Sequence, residues 1–164
     1  MDRPSLYLAA PFFNAYQKDL LTRANKLLHP WPHFDPQQAS LAIWNGRPPE
    51  EASAEDRYLV VEQNMVAINT SELVVAQMRA TGGPFTDTGV IWELGYAHAV
   101  GTPVLGFYDS KVEPYGLDSL NLMIAATLAG VCTLDELPFA VTLFEDTGAS
   151  GLRQQFPVKS RRII

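Results

Sequence analysis

Three short runs decide the fold of this chain: Leu73-Val74-Val75-Ala76, then Asp87-Thr88-Gly89-Val90-Ile91-Trp92-Glu93-Leu94-Gly95-Tyr96-Ala97, then Val104-Leu105-Gly106-Phe107-Tyr108. The outer two are continuous apolar runs of the kind that strands buried on both faces require. The middle run is helical. Val90, Leu94 and Ala97 recur at spacings of four and three and form a buried stripe. Asp87 suits the N-cap, where free backbone N–H groups and the helix dipole favour a carboxylate. Gly101 followed by Pro103 closes the helix. Strand, helix, strand in this order is a parallel crossover unit. Glu93 stands beside the apolar stripe, and side chains on a helix lean toward its N-terminus. It therefore leans over Gly89, which has no side chain, and a small molecule has room to reach it. An isolated Glu on a helix is ordinarily solvent-exposed, but Trp92, Leu94 and Tyr96 crowd the same turns.

The same alternation extends outward in both directions. Leu6 to Ala10 reads as a buried strand ended by Pro11. Asn14 caps a helix over about 15–28, with Leu20, Ala24, Leu27 and Leu28 on one face. His33 to Asp35 is a second strand. Residues 37–49 read as a loop with an apolar interruption ending at Trp44. Ser53 to Thr70 is a helix, and 79–86 and 109–119 are loops. Asn121 to Leu128 is a short helix and Gly130 to Cys132 a fifth strand. Leu134 to Phe144 is a last helix, followed by an irregular tail from Asp146. These readings imply an α/β domain with a mostly parallel five-stranded sheet, catalytic over 1–145, with 146–164 as a C-terminal tail. Ligands of such sheets sit at the carboxyl ends of the strands. That edge collects Tyr7 to Asn14, Gln77 to Asp87 and Asp109 to Asn121.

Composition narrows the partners. With 164 residues, 47% of them hydrophobic, the chain can bury a sizeable core. A net charge of −6 argues against nucleic acid. The visible basic cluster is Lys159, Arg161 and Arg162. One cysteine, Cys132, excludes an internal disulfide and fits a reducing cytoplasm. Three scattered histidines show no metal-ligand spacing, so no metal and no cofactor is expected. No run is suited to spanning a membrane, and no signal peptide is visible. Gly82-Gly83-Pro84 matches neither a P-loop nor a dinucleotide fingerprint. What remains is a carboxylate pair, Asp87 and Glu93, with a tyrosine at a strand end. Carboxylates in different environments can divide nucleophilic and acid/base roles, and at an anomeric carbon they support two-step retaining glycosyl transfer.

Asp87-x-Gly89 followed by Trp92-Glu93-Leu94-Gly95-Tyr96-Ala97 resembles the signature of the nucleoside 2-deoxyribosyltransferases. Tyr7-Leu8-Ala9-Ala10-Pro11-Phe12-Phe13 and Asn121-Leu122-Met123 match as well, and the likeness runs over about residues 5–132. It implies a flavodoxin-like doubly wound fold. It also implies that Glu93 attacks C1′ of a 2′-deoxynucleoside and that Tyr7 positions Glu93. Asp87 would contact the sugar or base, and Phe13 would line the base pocket. Asn121 would bind the sugar 5′-hydroxyl, often from a neighbouring subunit. Gly89, Asn64, Met123 and the C-terminal carboxylate of Ile164 complete the expected substrate contacts. The implied partners are a 2′-deoxynucleoside, a free nucleobase and further copies of the chain, in a dimer, tetramer or hexamer. One position departs from the family. Where an Asp commonly protonates the leaving base, this chain has Asn64, and an amide cannot serve as a general acid. Two other readings compete: a hydrolase of nucleoside 5′-monophosphates on the same fold, and a nucleoside-binding module without catalysis.

Overall fold

A computed structural model describes residues 3–78, 86–111 and 120–158, leaving aside the side chain of Pro49. Five strands form one sheet in the order β2-β1-β3-β4-β5, with every neighbouring pair parallel. They are β1 (Leu6–Ala9), β2 (His33–Phe34), β3 (Leu73–Gln77), β4 (Val104–Tyr108) and β5 (Leu128–Thr133). The helices are α1 (Ala15–Leu28), α2 (Pro36–Trp44), α3 (Ala54–Thr70), α4 (Thr88–Val100), α5 (Leu122–Thr127) and α6 (Leu137–Gln155). This is the flavodoxin-like doubly wound order, in which the chain reverses direction across the sheet between β1 and β3.

Both faces of the sheet are apolar because both are covered. Leu6, Leu8, Leu73, Val75 and Phe107 pack against Leu20, Ala24, Val141 and Leu152 of α1 and α6. Tyr7, Ala9, Val74, Ala76 and Val104 pack on the other side against Ile68, Val90, Leu94 and Ala97 of α3 and α4. The two-residue period of β1 sends Tyr7 toward α4 while its neighbours Leu6 and Leu8 face α1.

Two segments differ from the sequence expectation. The stretch read as a loop over 37–49 contains α2, begun by an N-cap signal. Asp35 accepts from the backbone N–H of Gln37 at 2.8 Å, and Pro36 occupies the first turn, where its missing N–H costs nothing. Asn45 ends the helix in the left-handed region, at φ 50°. The stretch read as an irregular tail continues α6 as far as Gln155. The helix breaks at Gly148, where φ is 66°, and the redirected chain returns Leu152 and Phe156 to the core. Phe156 O then accepts from Val131 N at 3.0 Å, closing the outer edge of β5. Gly130 permits this approach, since a Cβ there would lie 3.1 Å from Phe156 O and 3.2 Å from Leu152 O.

Candidate active site

The carboxyl ends of β1 and β3 lie at the reversal point of the sheet, and the chain beyond them builds a cavity of about 240 Å³. Ala10 to Phe13, directly after β1, form one wall. Pro36, Ser40 and Trp44 of α2 form another, and Val60 and Asn64 of α3 a third. Asp87, Gly89, Val90 and Glu93 at the start of α4 form the floor. Phe12 stacks on Phe13 at 5.2 Å between centroids and tilts against Trp44 at 6.4 Å. The cavity is thus aromatic at its mouth and carboxylate-bearing at its base.

Glu93 is 9% exposed. Its Oε1 accepts a hydrogen bond from the Tyr7 hydroxyl at 2.5 Å and a longer one from Asn64 Nδ2 at 3.4 Å. Burial pushes the Glu93 carboxyl up to about 7; the Tyr7 hydrogen bond opposes this, and the charge of Asp87 adds to it. Tyr7 is itself fully buried and stacked on Phe34 at 5.5 Å. Burial, and then the charge of Glu93, raise its hydroxyl well above the usual phenol range. Tyr7 is therefore a permanent donor and Glu93 a group poised near neutrality.

Asp87 caps α4. Its Oδ1 accepts from Gly89 N at 2.8 Å and Val90 N at 3.2 Å. A Cβ on Gly89 would lie 3.0 Å from that oxygen, so glycine keeps the cap uncrowded. Phe13 is 68% exposed at the mouth. Tyr7, Phe13, Asn64, Asp87, Gly89 and Glu93 are thus brought together around or directly beneath one cavity. Asn121 and Met123 are not: Asn121 caps α5 through the Met123 N–H at 2.9 Å, and Met123 is 75% exposed. Ile164, the basic cluster Lys159, Arg161 and Arg162, and Arg79 and Ser119, the side chains that would contact a phosphate under the monophosphate reading, lie outside the described residues.

Sequence reasoning missed the α2 wall. Trp44, which ends the apolar interruption in that stretch, packs at the cavity with 8% exposure. The Asp35-Pro36 pair was the signal that would have placed it on a helix. Among the described residues no cluster of three metal-ligating side chains occurs, and no helix is long and apolar enough to cross a membrane.

Fold and site together define an all-parallel, flavodoxin-like α/β protein with a buried carboxylate at the point where the sheet reverses. The nucleoside 2-deoxyribosyltransferase family matches residues 6–135, and the chain belongs to that family. Among solved structures it is similar to a 2-deoxyribosyltransferase from Bacillus psychrosaccharolyticus. The identity is 27% and the TM-score 0.63, over 82% of this chain and 90% of the other. A conserved protein from Enterococcus faecalis V583 has the same fold at 22% identity and a TM-score of 0.58, over 85% of this chain and 98% of the other. No curated protein sequence matches the chain.

Proposed function

We propose that the protein transfers 2-deoxyribose between nucleobases through a covalent intermediate on Glu93. The observation that carries this reading is the Tyr7 hydroxyl 2.5 Å from a buried Glu93 on the floor of an aromatic-mouthed cavity. An oxygen of ionised Glu93 forms a bond to C1′ of a 2′-deoxynucleoside while the C1′–N bond breaks and its electron pair leaves with the base. A second base then takes the sugar from Glu93. Two displacements at the same carbon give net retention. Water in place of the second base releases free sugar, which accounts for a side hydrolysis.

The departing base needs a proton. Asn64 cannot give one. Among the described residues Asp87 is the remaining carboxyl on the cavity wall; with Oδ1 engaged by the helix N–H groups, its Oδ2 takes a proton from solvent and hands it to the departing base. A nucleoside rather than a nucleoside monophosphate is favoured because no cation lines the cavity among the described residues. The turn from Ala10 to Phe13 likewise offers no polar side chain. Asn121 and Met123 are assigned to the sugar end of a neighbouring subunit's site, which makes the working unit a homo-oligomer. A buried, free Cys132 suits a reducing cytoplasm.

The test gives purified protein 2′-deoxyinosine or 2′-deoxyuridine, each with and without adenine, and follows products by chromatography. Formation of 2′-deoxyadenosine that is lost in Glu93→Ala is the expected result. A Glu93→Ala protein that still makes 2′-deoxyadenosine rejects the covalent route. A wild-type protein inactive on both donors but active on nucleoside monophosphates would establish the hydrolase instead.

A further inference from the structure

We infer that Asn64 is a positioning residue, whose amide joins the Tyr7 hydroxyl on Oε1 of Glu93 and so leaves Oε2 as the oxygen that bonds to C1′. This rests on the reading of Glu93 as nucleophile and deepens it. Both donors reach the same oxygen, Tyr7 at 2.5 Å and Asn64 Nδ2 at 3.4 Å. Oε2 accepts no hydrogen bond among the described residues, and it is not one of the polar atoms sealed from solvent without a partner. It is the free face of a carboxylate whose other oxygen is tied down.

The chemistry of an amide fixes which way Asn64 points. Turning Oδ1 toward Glu93 would set two acceptors against each other, so Nδ2 must face the carboxylate. The cost is visible on the opposite side of the group, where Asn64 Oδ1 is buried with no partner. An Asp at position 64 would remove a donor and add a second negative charge within hydrogen-bond reach of Glu93. Carboxylates that close share a proton rather than both ionise.

Among the described residues the other groups around Glu93 cannot offset such a charge. Tyr7 from β1 stays neutral, Asp87 from the start of α4 is negative, and Asp35 ahead of α2 acts on Tyr7 with the same sign. The walls from α2 and α3 contribute Pro36, Ser40, Trp44, Val60 and Asn64, none of them charged. Among the described residues neutral donors alone hold the ionised nucleophile, and Asn64 is the second of two. Its presence in place of an acid moves proton delivery elsewhere in exchange for a nucleophile ionised closer to neutral pH.

The test is the pH profile of kcat/KM for deoxyribosyl transfer by wild type, Asn64→Asp and Asn64→Ala. Asn64→Asp is expected to move the acid limb up by about one pH unit, a loss of about five-fold at pH 7 that is recovered at alkaline pH. Asn64→Ala moves it the same way by less. An Asn64→Asp protein faster than wild type at pH 7 overturns the inference, because residue 64 would then be acting as an acid. So does a limb left in place, or a uniform loss at every pH. Should Asn64→Asp not fold, the limb of Asn64→Ala decides alone. Loss of transfer in Glu93→Ala together with an unmoved limb rejects only the role of Asn64. Transfer that survives Glu93→Ala rejects the reading of Glu93 beneath it.

Discussion

The two ends of the proposed site are built differently. At the carboxylate end, β1, α3 and α4 bring Tyr7 and Asn64 within hydrogen-bond distance of Glu93 inside a single chain. At the other end, Asn121 and Met123 sit on the exposed side of α5, and neither lines the cavity. The first group is held by the packing of two covered sheet faces; the second sits at the capped, exposed start of α5. In the proposed reading, the chemistry sits where the core is dense and the binding supplied by a neighbour sits where it is not.

Substitutions at the buried end should have the largest effects. Glu93→Ala removes the proposed nucleophile and is expected to lower the transfer rate by about 10⁴-fold or more, measured as product nucleoside per unit time. Residual transfer within ten-fold of wild type would break the division between the two ends. Tyr7→Phe removes one hydrogen bond to a charged group and should cost about 10- to 100-fold in kcat/KM at pH 7. Wild-type activity should rise with pH through about 7 as Glu93 ionises. Without the Tyr7 donor that rise moves to higher pH.

The exposed end predicts smaller and separable effects. Asn121→Ala should raise KM by about ten-fold, as expected for losing one hydrogen bond to the sugar, with kcat changed less. If α5 serves a neighbouring subunit, mixing Asn121→Ala with Glu93→Ala protein should restore part of the activity, because some sites then receive an intact residue from each chain. Mixtures no more active than the sum of their parts would place Asn121 outside the working site.

The smallest effect sharpens the cost of the buried carboxylate. Folding raises the Glu93 carboxyl from its ordinary value of 4.5 to about 7. Below pH 4.5 the group is neutral in both folded and unfolded chains. Between those values the folded chain binds more protons, so the stability present at low pH is lost as pH rises through about 7. The penalty above that range is on the order of 3 kcal/mol. Glu93→Gln is therefore expected to melt several degrees higher than wild type at pH 8 and within a degree or two of it at pH 5. Equal melting temperatures at pH 8 would mean that Glu93 is better solvated than its burial implies.

Local signals determined much of this protein. Continuous apolar runs marked β1, β3 and β4; Asp87 and Gly101 marked the ends of α4; and four-three spacing marked its buried face. Each is a short-range constraint, so each is readable in a window of a few residues. The burial of Glu93 was legible only in part: Leu94 beside it is buried as its spacing requires, but Trp92, which was expected to crowd the same turn, is 47% exposed. The wall made by α2 and the return of α6 after Gly148 were harder to read. Both depend on what a segment meets after the chain turns: Trp44 and Phe156 could be placed only by the elements they pack against. Tertiary structure alone decided that β1 would lie beside β3, which is what puts Tyr7 and Glu93, 86 positions apart, on one hydrogen bond. Periodicity sets which face a side chain takes, but the pairing of strands across the sheet sets which residues share that face.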